Sequence, residues 1–103
     1  MTADVPAAVR PLFGGGVAET LVMLRRDLHR HPELSWHEEK TAQRLMRALQ
    51  ELGVTEVKRV AVTGLVARIP GLARGGAAVA LRGDIDALPI TETTGLAFAS
   101  EVP

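Results

Sequence analysis

The chain has 103 residues, with 12 lysines and arginines against 12 aspartates and glutamates, and 47% of its residues are hydrophobic. A chain of this length is one small domain or part of a larger one, and its balanced charge argues against a polyanion such as nucleic acid as partner. The absence of cysteine excludes a disulfide framework and a thiolate metal site. No run approaches the roughly eighteen consecutive apolar residues of a membrane span.

Residues 1–16 hold Pro6, Pro11 and the run Gly14-Gly15-Gly16, and read as a flexible leader. They lack the basic-then-apolar order of a signal peptide, which makes the cytoplasm the expected location. From Val17 the pattern turns helical. Val17, Leu21, Leu24 and Leu28 recur at spacings of four, three and four, one apolar stripe suited to packing on a sheet. Arg25, Arg26 and Arg30 sit in the later turns, where cations suit the helix dipole, and Pro32 ends the helix.

Ser35 followed by Glu38 fits a capping box, which predicts a second helix over residues 36–52 with Gly53 as its stop. Its core stripe is Ala42, Leu45, Met46, Leu49 and Leu52. Glu39, Lys40, Gln43, Arg44 and Arg47 are expected to face water. His29, His31 and His37 lie close in sequence, but residues two apart on a helix diverge, and Pro32 and a helix start separate His37 from the others. No local acidic or thiolate group completes a ligand set, so the three histidines are expected to cap and pack the turn between the helices.

After Gly53 the period falls towards two. One strand is expected within residues 54–62, a second over residues 65–69 and a third over residues 77–82, with Thr63-Gly64, Pro70-Gly71 and Gly75-Gly76 as breaks. The third, Ala-Ala-Val-Ala-Leu-Arg, is apolar on successive positions, so both its faces read as buried. Two helices followed by about three strands of a mixed sheet make an α/β layer. No repeat or linker is evident between residues 17 and 90, and residues 17–103 read as one incomplete α/β part. Arg82, Asp84 and Asp86 close the third strand. Chemistry in α/β sheets collects beyond the carboxyl ends of such strands, which makes Asp86, and less strongly Asp84, the candidate site residues. The same two carboxylates also suit a turn or a strand-end ion pair with Arg82. Arg82-Gly83-Asp84 spells an adhesion tripeptide too, but its apolar flank and the lack of a signal peptide argue against that use.

Four stretches occur in order: Leu-Arg-Arg-Asp-Leu-His-Arg-His-Pro-Glu-Leu-Ser at residues 24–35, Thr-Gly-Leu-Val-Ala at residues 63–67, Ala-Leu-Arg-Gly-Asp-Ile-Asp-Ala-Leu-Pro-Ile at residues 80–90, and Glu92 with Thr94-Gly95-Leu96. Together they resemble the start of the M20 metallopeptidase family, and most closely its amidohydrolase branch acting on N-acyl amino acids such as hippurate. The resemblance covers about residues 17–103. It implies an α/β catalytic domain carrying a smaller dimerisation domain, a homodimer as full-length protein, and a small-molecule N-acyl amino acid substrate. It further implies two divalent metal ions, zinc or manganese, whose bridging water attacks the amide with a glutamate as general base. In that branch the first metal ligands follow soon after the position of Pro103, in a Cys-Gly-His-Asp segment absent here. The resemblance therefore makes this chain a leading segment, inactive alone, with its metal ligands elsewhere. Asp86 matches an aspartate that orients a metal-binding imidazole, while Asp84 stands where many relatives carry histidine. The alternative is a non-catalytic α/β binding or interaction module.

Overall fold

The computed structural model describes residues 6–102. Residues 1–5 of the expected leader lie outside the described residues. The rest of that leader includes a 3-10 turn, Arg10–Phe13, with no buried residue. Two helices and two strands follow: α1 Val17–Arg30, α2 Glu39–Glu51, β1 Glu56–Val60 and β2 Gly64–Arg68. The strands form an antiparallel hairpin with Val57 opposite Ala67 and Val60 opposite Gly64. The α/β class expected from the sequence is the one observed. The described residues sort into two compact units, one of residues 6–32 and 91–102 and the other Glu33–Ile90.

In the first unit, α1 starts and ends where its stripe begins and Pro32 intervenes. Gly16, in the left-handed region at φ 84°, turns the chain into it. The His31 amide closes it on the Leu28 carbonyl at 3.3 Å. The imidazole Nδ1 of His31 lies 2.9 Å from the Asp27 carbonyl oxygen, so it donates there and satisfies one of the open carbonyls of the last turn.

In the second unit, α2 lies against both strands of the hairpin. Its expected start is corrected: the helix begins at Glu39, and Ser35 makes no cap. The residue in the way is Trp36, whose backbone is left-handed at φ 67°. A box closed by Ser35 needs residues 36–38 to wind as a right-handed first turn, and Trp36 does not. The stop is as expected. Gly53, at φ 83°, donates to the Gln50 carbonyl at 2.9 Å, and Val54 donates to Leu49 at 3.0 Å. That pair of bonds is a Schellman closure, which needs a left-handed residue after the helix and therefore favours glycine.

The hairpin turn is tight. Ala61 and Val62 both have positive φ, 47° and 69°, and a β-branched residue there is strained. Gly64 is needed for close approach, because a Cβ on it would sit 3.0 Å from the Val60 carbonyl oxygen.

The third expected strand is a correction. Residues 77–82 pair with nothing among the described residues, and the sheet has two strands only. Val79 is 86% and Leu81 96% exposed. A strand buried on both faces needs neighbours on its edges and layers above and below, and the described residues supply neither. The small core has the same origin. Ala42 is the one buried apolar residue among the described residues, while Leu52 of the expected helix stripe is exposed.

Candidate functional site

Just past the unpaired segment, the backbone is fixed again at Ala87. Its amide donates to the Glu33 carbonyl at 2.8 Å, and a parallel bridge joins it to Leu34. Asp86 is thus held next to an anchored residue, with its side chain on the exposed surface. Asp84 is exposed too, and its carboxylate binds the Arg82 guanidinium at 2.7 Å. That contact is an ion pair on unpaired backbone, and in such exposed surroundings it contributes little. The Arg82-Gly83-Asp84 run lies on the surface, so its apolar flank does not bury it, and its two charges engage each other.

The groups that are better shielded and well bonded are others. The Glu33 carboxylate reaches across to the start of α2. One oxygen accepts from the Thr41 amide at 2.5 Å and the Thr41 hydroxyl at 2.6 Å. The other accepts from the Lys40 amide at 3.2 Å. These are the open donors of the first helical turn, and a carboxylate there also meets the positive end of the helix dipole. Burial pushes the Glu33 carboxyl up, but the Thr41 hydroxyl and the two amides together outweigh it and hold it below the usual range.

Glu38 and Thr63 are both buried, and the Thr63 hydroxyl donates to the Glu38 carboxylate at 2.6 Å. That bond is the main reason the Glu38 carboxyl lies below its ordinary value, against the opposing effect of burial. Beside it, Arg59 reaches the Glu39 carboxylate at 2.9 Å and the Val62 carbonyl at 3.0 Å. The strained turn at residues 61–63 is therefore pinned to the start of α2 by two polar bridges. Sequence reasoning missed these roles because each joins residues 20 or more apart in the chain. The capping-box pattern named the wrong hydroxyl and gave Glu38 to the wrong partner.

In the first unit, Glu92 is the hub. Its carboxylate faces His29 Nε2 at 2.8 Å, where the imidazole donates, and accepts from the Ser100 amide at 2.6 Å and from the Thr94 hydroxyl. The Thr94 hydroxyl, the Ser100 amide and His29, in that order, pull its pKa down to about 2. Phe98 meets His29 edge-on at 5.4 Å between centroids, with the Arg26 guanidinium 4.6 Å over its ring.

His31 thus caps the end of α1, and His29 packs against Phe98 and Glu92 rather than against the turn between the helices; the exposed His37 contributes a backbone bond, its amide donating to the Leu34 carbonyl at 2.9 Å. Among the described residues, no three histidines, aspartates or glutamates come together to hold a metal ion. A two-metal centre does not fit the donors present, and no chemical step can be built through one on this chain alone.

No family model matches the chain. It is 46% identical over 87 residues to an N-acyl-L-amino acid amidohydrolase of Geobacillus stearothermophilus, a match covering 84% of this chain and 23% of that protein. It is 47% identical over 87 residues to an N-acetylcysteine deacetylase of Bacillus subtilis, covering 80% of this chain and 22% of the relative. In the crystal structure of a Bacillus subtilis protein described as a dinuclear metal-binding peptidase of the M20 family, the matched part superimposes with a TM-score of 0.75 at 46% identity. That match covers 82% of this chain and 23% of the other. The chain therefore spans under a quarter of the length of the relatives it matches.

Proposed function

We propose that this chain belongs to the M20 peptidase family, to whose members it is similar in sequence and fold, and is scaffold for a metal-dependent hydrolase of amide bonds in N-acyl amino acids or related small conjugates. The observation that carries the reading is the joint match of sequence and fold, 46% identity at a TM-score of 0.75, to a dinuclear metal-binding peptidase. On this reading the segment inherits from its family the α/β frame, and the zinc or manganese ligands come from residues outside it. Asp86 then orients an imidazole supplied from elsewhere, fixing its tautomer. Its anchored neighbour Ala87 supports that positioning role. The location proposed is cytoplasmic, and the assembled protein a homodimer that engages neither nucleic acid nor membrane. No helix among the described residues is long and apolar enough to cross a membrane.

The test is an assay of N-acetyl and N-benzoyl amino acid hydrolysis by the longest protein whose sequence contains these residues, loaded with zinc or manganese. Metal-dependent release of free amino acid supports the reading. A folded, metal-loaded protein that releases none contradicts it. In the same protein, Asp86→Asn is expected to lower metal affinity or turnover roughly 10–100-fold. A second reading, a non-catalytic α/β module, is favoured by one observation, the lack of a ligand set among the described residues. Full folding with no bound metal in the longer protein would select it.

A further inference from the structure

Residues 91–102 contain no helix or strand, so side chains must hold their conformation. The bonds converge on one carboxylate. One oxygen of Glu92 takes the Thr94 hydroxyl and His29 Nε2, and the other takes the Ser100 amide. The segment then touches the end of α1 directly, where the Glu101 amide donates to the Arg30 carbonyl at 2.8 Å and the Glu101 carboxylate lies 3.5 Å from His31 Nε2. Ser100 closes on Val102, its hydroxyl donating to the carbonyl at 2.8 Å and accepting the amide at 3.2 Å.

We propose that residues 91–102 form a strap latched onto α1 by Glu92, which opens as one unit when that carboxylate is lost. Three donors share this carboxylate, two of them, Thr94 and Ser100, folding the strap on itself and one, His29, tying it to α1, and such charge-assisted bonds are stronger than neutral ones. Without it, what remains is the exposed contact between His31 and Glu101, one backbone bond and the Phe98 contacts. Each of these is weak by itself. The strap therefore has two states, one covering the Arg30 carbonyl and the His31 imidazole and one leaving both open. This inference rests on contacts within the first unit and is independent of any hydrolytic activity.

The experiment is amide hydrogen exchange by NMR on the chain and on Glu92→Gln. A carboxamide can accept at one side only and turns its own N–H groups toward the other donors. In the unsubstituted chain the Ser100 and Glu101 amides should be protected. In Glu92→Gln their protection should fall by about tenfold or more, while the α2 amide of Ala42 keeps its own. Thr94→Val, which removes one donor and keeps the carboxylate, should produce a smaller loss at the same two amides. Unprotected Ser100 and Glu101 amides in the unsubstituted chain, unchanged protection in Glu92→Gln, or a loss shared equally by α2 would each overturn the proposal.

Discussion

The carboxylate of Glu33 caps a helix that begins six residues later, binding the Thr41 amide at 2.5 Å and the Thr41 hydroxyl at 2.6 Å. The backbone of the same residue accepts the Ala87 amide at 2.8 Å. Glu33 thus ties the start of α2 to the residue that follows Asp86.

Replacing Glu33 with alanine strips the first turn of α2 of its acceptor and should cost about 1 kcal/mol, the usual worth of an N-terminal cap. Ser35→Ala, by contrast, should leave stability unchanged, because Ser35 makes no cap. Denaturant midpoints of the two variants, compared in one protein background, check the pair. A larger effect at Ser35 would contradict the observed start of the helix.

The left-handed backbone of Gly53, at φ 83°, makes it the second sensitive point of α2. Gly53→Ala places a Cβ in a conformation that L-residues disfavour, at a cost of roughly 1 kcal/mol. A thermal melt that leaves the midpoint in place would argue against the Schellman closure.

The acid dependence of the strap follows from Glu92. Its folded pKa is lowered from the ordinary 4.5 to about 2. A depressed carboxylate stabilises the fold fully above its unfolded value and loses that contribution as pH falls through the folded one. Protection of the Ser100 amide should therefore persist as pH drops below about 4 and vanish on approaching about 2. Opening of the strap already at pH 5 would count against the latch.

The exposed apolar run predicts self-association. Val79, Leu81, Leu88 and Ile90 are all more than 70% exposed, on backbone that for residues 77–82 belongs to no sheet. Such an unpaired extended segment is a template for pairing with another chain. The chain should bind a hydrophobic dye and sediment as oligomers, and Leu81→Lys should shift it towards monomer without changing its helix content. Monomeric sedimentation of the unsubstituted chain at high concentration would contradict this.

What the sequence disclosed was what depends on local period and local breaks. The stripe of α1, the end of α2 at Gly53 and a break between two strands near Thr63 all follow from neighbours a few residues apart, although the turn itself takes in Ala61 and Val62 and Gly64 already opens β2. The start of α2 did not, because its cap is Glu33 rather than the hydroxyl next to it, and the left-handed turn at Trp36 has no sequence signature of its own. The run at residues 77–82 was read correctly as apolar on both faces. Its burial was misjudged because burial belongs to whatever lies against a strand, which the strand's own residues do not encode. Of the candidate site, the sequence singled out Asp84 and Asp86, both exposed, while Glu38 acquires its role through Thr63, 25 residues on, and Glu92 its hold on α1 through His29, 63 residues back.

On the proposed reading, this chain supplies frame and not metal ligands to a hydrolytic site. Calorimetric titration of the purified chain with zinc and with manganese puts that division of labour to the test. The expected result is no saturable binding of two ions in the micromolar range, and no release of amino acid from an N-benzoyl amino acid in the same solution. Binding of two ions per chain with micromolar affinity, accompanied by turnover, would contradict it.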